Sequence, residues 1–257
     1  MRSWLVIVLL VACSLSAFPQ SIPLVINENF LELKVKQIDE FMHRFNFDTR
    51  YDGSIPGDSV SLEERLKNMY TVFKVDRFKT QEGKPNELIT GLCKYAIDNK
   101  IHLLYEDKNW KAEVVCNALL ERKKEQVSVF LQTEQIEGLY YKWVLVGVDG
   151  RFMDSFQKPV KDSLFISPAE HGISFMTLPR IVKLNVEGVK TLFNKDWKPD
   201  PLSVFSYLIC TEKLVLKSTE RVMYHWNLGK YSFKVERFEG EDSPNQGWLI
   251  SEVTANP

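Results

Sequence analysis

The chain lacks an excess of either charge: 33 Lys and Arg stand against 34 Asp and Glu, a net charge of -1. Nothing in that balance draws the protein toward nucleic acid or an anionic membrane surface, because both need a clustered positive field. The densest basic run, Arg122-Lys123-Lys124, lies between two strand patterns and reads as a solvated hairpin turn. Histidine is scarce, with His43, His102, His171 and His225 the four present. No two are spaced as ligands on one element, and there is no Cys-x-x-Cys or His-Glu-x-x-His pattern, so no metal ligand is assigned. Gly-x-Ser-x-Gly elbows and phosphate-cradling glycine loops are missing as well, which leaves no catalytic or cofactor-binding residue to name. Two acidic loops also fall short. Arg50 stands where a calcium loop over 48–58 needs Asp or Asn, and Glu239-Gly240-Glu241-Asp242-Ser243-Pro244 has no ligand spacing. Adjacent carboxylates such as Asp39-Glu40 and Glu63-Glu64 fall on exposed helix faces and read as solubilising charge.

Long apolar runs are also few. One exists, Trp4 to Ala12, preceded by Arg2 and followed by the polar, Pro-containing stretch Ser14 to Pro23. It is shorter than the roughly 20 residues a membrane span needs, so it reads as an export signal with a polar leader over 1–21. A buried N-terminal core helix is the competing reading. Cysteine is limited to Cys13, Cys93, Cys116 and Cys210. Loss or modification of Cys13 leaves an odd number, which excludes a full disulfide framework. Cys93 and Cys116 fall at inward positions of a helix and a strand and read as buried thiols.

What is present is patterned. Of the residues, 44% are apolar and 12% aromatic, enough for a packed core. Leu31, Val35, Ile38, Met42 and Phe45 recur at helical spacing. Ser61-x-x-Glu64 forms a capping box ahead of Leu62, Leu66, Met69 and Phe73. A third helix after Pro85 carries Ile89, Leu92, Cys93 and Ala96 on one face. Past Lys100 the period shortens to two. Ile101–Tyr105, Trp110–Ala118, Val127–Leu131 and Leu139–Val148 predict antiparallel strands. A mixed segment with Pro159 and Pro168 follows, and the order then repeats. Helical candidates cover Phe175–Leu184, interrupted by Pro179, and Val186–Phe193, with another after Asp200-Pro201. Strands then cover 214–216, 222–226, 231–238 and 248–253, with Asn227-Leu228-Gly229-Lys230 as a hairpin connection. Helices first and strands afterwards predicts an α+β class, with helices packed on antiparallel sheets. The expected organisation is an α+β module over 22–150, a linker over 151–172 and a second α+β module over 173–257.

Three resemblances add to this. Leu10-Val11-Ala12-Cys13 resembles a bacterial lipobox, which implies cleavage before Cys13 and lipid attachment to its thiol; ordinary cleavage near Ser16 or Ala17 is the alternative. A helical start and a hairpin series closing on Gly247-Trp248-Leu249-Ile250 is similar to the NTF2-like (cystatin-like) α+β cone, with 202–253 the closer match and 29–148 the looser. Asn27-Glu28-Asn29-Phe30 and the run from Phe41 to Asp48 resemble uncharacterised secreted proteins and lipoproteins of Bacteroidetes-type bacteria. The NTF2-like resemblance implies curved antiparallel sheets and carries over no site residue. The repeated order, with Trp143-Val144-Leu145-Val146 matched by Trp248-Leu249-Ile250, reads as an internal duplication into two tandem modules. The address implied is the cell envelope, periplasmic or anchored at the outer membrane, with membrane contact only through acylated Cys13. The aromatics on the strands, Trp110, Trp143, Tyr224, Trp226 and Trp248 among them, read as core, with lining of a ligand cavity the second reading. The leading functional expectation is non-catalytic binding of a small ligand or an envelope protein. An NTF2-like hydrolase or isomerase with a dispersed acid/base site is the alternative, and a subunit of a larger envelope assembly the third.

Overall fold

A computed structural model describes residues 38–80, 85–136, 140–154, 164–169, 171–194, 196–239 and 247–257. The leader, Cys13 and the expected helical positions Leu31 and Val35 lie outside these residues, as does most of the acidic stretch 239–244. Backbone proximity divides the chain into Met1–Asp39 and Glu40–Pro257, with every described residue from Glu40 onward in the second unit.

Helix α1 includes residues 38–46, α2 is Leu62–Tyr70, α3 the single turn Val75–Phe78 and α4 Glu87–Asp98. Strands β1 (Trp110–Leu120), β2 (Lys123–Gln135) and β3 (Tyr141–Gly150) follow as a meander. Helices α5 (His171–Leu184) and α6 (Pro201–Cys210) lead into a second meander. It comprises β4 (Leu214–Asn227), β5 (Tyr231–Phe238) and β6 (Gly247–Ala255). The class is α+β, with the six strands in one sheet of order β3-β2-β1-β4-β5-β6. Every neighbouring pair is antiparallel, and the first strands of the two meanders, β1 and β4, meet at the centre.

Local chemistry explains most boundaries. The Ser61 hydroxyl accepts the Glu64 N–H at 3.1 Å, but the Glu64 carboxylate turns to Arg50 at 2.7 Å, so only half of the expected capping box closes. Asn86 caps α4 through Ile89 N–H, and Asp200 caps α6 through Ser203 N–H with Pro201 behind it. The turn at Glu121 and Arg122 has both residues at positive φ, and all of 121–124 is exposed, as the basic run implied. Asn227–Lys230 closes β4 to β5, with the Leu228 N–H donating to Tyr231 O at 2.8 Å and Gly229 at φ +83°.

Four expectations are corrected. Residues 101–105 are not a strand, because the buried Asn46 amide accepts the Leu103 N–H at 2.7 Å and donates to its carbonyl at 3.0 Å. Both main-chain groups of Leu103 are thereby satisfied without a neighbouring strand. The two short strands expected at 214–216 and 222–226 are one, since β4 bulges at Lys217 and Glu220 and stays paired to β1 through Ser218, Thr219 and Arg221. Helix α5 runs through Pro179 instead of stopping there, forgoing the one bond proline cannot donate. Segment 186–193 forms a 3-10 turn, Glu187–Leu192, rather than an α-helix.

One face of the sheet holds the core. Phe41 of α1 lies 5.6 Å from Trp226, and Phe45 stacks on Phe233 at 5.6 Å. Ile89, Leu92, Cys93 and Ala96 of α4 are buried as their spacing predicts, whereas Leu62 of α2 is 55% exposed. A separate cluster gathers Phe205 of α6 with Ala118, Val127, Val129, Val148, Phe152 and Leu214. The helices cross over between the halves. Helix α4 lies against β5 and β6, Tyr95 meeting Tyr231 at 5.6 Å, while α6 lies against β3 and β4. The outer edge of β6 is partly closed by residues 72–74, which bridge to Ile250 in parallel.

Candidate functional site

Alternation along a strand sends successive side chains to opposite faces, and directly opposed residues on neighbouring strands share a face. Trp110, Ala112 and Ala118 of β1 face the core; Lys111, Glu113 and Asn117 point the other way. The register then assembles a transverse row on that second face. Lys111 of β1 stands opposite His225 of β4, His225 opposite Lys234 of β5, and Lys234 opposite Glu252 of β6. Asn227, Ser232 and Thr254 form the adjoining row. These rows line an open groove of about 790 Å³.

The groove is internally bonded. His225 Nε2 and Glu113 Oε2 are 2.8 Å apart, and the Ser128 hydroxyl donates to Glu113 Oε1 at 2.8 Å. Lys234 and Glu252 form an ion pair at 2.8 Å. The hydrogen bond from Lys234 holds the Glu252 carboxyl below its ordinary value; the charge of that ammonium adds to it, and His225 and Arg77 contribute smaller pulls. At the other end, the Gln132 amide donates to Lys108 O at 2.6 Å, and Lys108 Nζ donates to Thr133 O at 2.7 Å. The Lys111 ammonium sits 4.5 Å from the centre of the Phe130 ring.

Chemically this arrangement can hydrogen-bond polar groups. The Ser128 proton is directed at Glu113, not at the imidazole, so serine, histidine and carboxylate are not in the order a nucleophile, base and orienting group require. A Glu–His pair remains that can accept or return a proton. Among the described residues no cluster of three or more His, Cys, Asp or Glu side chains could hold a metal ion.

His225 is hydrogen-bonded within a strand, as expected. His102 is exposed in irregular chain, outside the strand assigned to it. His43 is exposed and lies 3.1 Å from Asp48, and His171 opens α5. The aromatics divide. Trp110 and Trp226 stack at 5.1 Å and Trp226 on Phe233 at 5.3 Å, all three buried on the core face. Trp143 is 40% exposed and Tyr140 74%. The groove is thus lined by charged and hydroxyl side chains together with Trp110, Val146, Trp226 and Phe233. The polar alternation of Lys111 and Glu113 was a signal for this face, but His225, which stands opposite Lys111 and bonds Glu113, comes from a strand more than a hundred residues away.

Compared with known protein families, curated proteins and solved structures, the chain matches none. Function rests on the groove.

Proposed function

We propose that this chain is an exported cell-envelope protein that binds a small polar ligand, without catalysing its conversion, in the groove of the sheet. One observation carries the ligand reading. Charged and hydroxyl groups from four adjacent strands converge on a space of drug-molecule size, where a sheet holds them in fixed register. The address rests on the apolar leader and on Cys13, which we take as the lipid attachment point in the periplasm or at the outer membrane. No helix among the described residues is long and apolar enough to cross a membrane, so Cys13 would supply the anchor. The two halves, each a helix followed by a three-strand meander, are read as a duplicated NTF2-like pair. Their sequential order and the central meeting of β1 and β4 support that reading.

The test is a heteronuclear NMR titration of the mature protein with a library of small polar molecules. Binders should shift the amides of Lys111, His225, Lys234 and Thr254. A library that shifts none of these removes the ligand reading. Mass spectrometry of the native N-terminus tests the address: acylated Cys13 supports the anchor, and a mature chain starting near Ser16 or Ala17 replaces it with a free soluble body.

The alternative, an NTF2-like hydrolase or isomerase, is favoured by a single feature, the bond of Glu113 to His225, whose imidazole lines the groove. It requires that His225→Gln abolish turnover of a ligand while leaving its binding within a few-fold.

A further inference from the structure

Three basic side chains stand side by side across the sheet, since Lys111 faces His225 and His225 faces Lys234. Neighbouring strands lie about 4.8 Å apart, so the row spans about 10 Å. Like charges directly opposed on a sheet are unfavourable. The protein relieves two of the three positions, His225 with Glu113 and Lys234 with Glu252. Lys111 is left without a carboxylate in ion-pair range among the described residues; it rests over the Phe130 ring instead. Lys108 enters from the loop before β1 with one donor used on Thr133 O. The fixed charges lining the groove are therefore Lys108, Lys111 and Lys234 against Glu252, with Glu113 reaching it only through its bond to His225, so positive charge is in excess. Each lysine ammonium has three donors, and none of these three spends all of them on the bonds described.

We infer that the groove takes an oxyanion, the carboxylate or phosphate group of a small polar molecule, seated across the Lys111–His225–Lys234 row. This rests on the groove being the ligand site and names the chemistry it selects. A row of bases that the sheet neutralises only in part, with no carboxylate on Lys111 among the described residues, is unfavourable in the free protein and favourable once an anion bridges it. The adjoining Asn227, Ser232 and Thr254 give the rest of the ligand neutral hydrogen-bonding partners. The two acids set selectivity. Glu252 on the groove wall, with Glu113 behind His225, repels a large polyanion while tolerating one compact anionic group.

The experiment is calorimetric and NMR titration of the full mature protein with inorganic phosphate, with citrate and with neutral sorbitol, on wild type and on Lys111→Gln and Lys111→Arg. Phosphate, citrate or both should bind and shift the groove amides; which one binds assigns phosphate or carboxylate. Lys111→Gln should weaken that binding at least tenfold, and Lys111→Arg should stay within a few-fold of wild type. Without ligand, Lys111→Gln should unfold at the same or a slightly higher temperature, because one of the opposed charges is gone. Equal shifts from sorbitol and from the anions, or affinity unchanged in Lys111→Gln, overturn the oxyanion while leaving the groove as a site. Shifts confined to residues outside the groove overturn both.

Discussion

At the scale of single residues, a few buried polar side chains hold loops that no periodicity marks. Asn68 is 3% exposed and makes three main-chain bonds. Its Oδ1 accepts the Tyr51 N–H at 2.7 Å, and its Nδ2 donates to Arg44 O and Thr49 O at 3.1 and 3.2 Å. Truncation removes the partner of the partly buried Tyr51 N–H and Thr49 O, where a fully buried group would cost about 1–3 kcal/mol and one that water reaches less. Asn68→Ala should therefore lower the urea midpoint far more than an exposed Asn→Ala change does, with the slope unchanged. Cys93 gives a second residue-level outcome. Burial pushes its thiol from 9.0 up to about 12. The folded state then holds this proton more tightly than the unfolded chain. Its share of stability is full below about pH 9 and is lost progressively as pH rises from there to 12. Cys93→Ala should flatten that alkaline decline, read by denaturation at pH 8, 9.5 and 11. An equal slope in both proteins counts against a buried, proton-holding thiol.

At the scale of elements, close approach matters more than propensity. Gly91 sits within α4, where glycine is weaker than alanine by about 1 kcal/mol. A Cβ there would meet Tyr231 Oη at 2.5 Å, so the helix lies close to β5 because residue 91 has no side chain. Gly91→Ala should destabilise the protein despite the propensity gain, by about 1–3 kcal/mol. Tyr231→Phe should recover much of the loss in the double variant, since it removes the clashing oxygen. Thermal melts of the four proteins in the cycle decide it, and simple additivity would show that the contact is not the cause. The stripe of α4 was legible because four residues at helical spacing face one surface. The failure at 101–105 has the opposite origin: alternating apolar residues predict a strand, but a side-chain amide met the hydrogen bonds first. Residues 217–221 looked like a break because Lys, Ser, Thr, Glu and Arg carry no alternation. They remain strand because β1 supplies partners to Ser218, Thr219 and Arg221 while Lys217 and Glu220 bulge out.

At the scale of the molecule, the two halves are interlocked. Each meander contributes three strands to one sheet, and α4 and α6 cover strands of the opposite half. Either half alone would expose a central strand edge and lose the helix that covers it. Fragments 40–150 and 173–257 expressed separately should lack cooperative unfolding, while the whole chain melts in one transition followed identically by tryptophan fluorescence and circular dichroism. A fragment that unfolds cooperatively by itself would establish an independent module.

Local patterning alone determined that helices precede strands in each half, where most of them cap and turn, which residues of α4 face inward and that β1 has a polar side. These follow from near-neighbour chemistry: spacing along the chain, a hydroxyl or carboxylate at a helix start, a glycine at a turn. The joining of six strands into one sheet, and the row of Lys111, His225, Lys234 and Glu252 across it, came from tertiary structure only. Register between strands is set by packing of the opposite face, where Trp110, Trp226 and Phe233 stack. Side chains distant in sequence meet only after that packing has chosen which residues stand opposite one another.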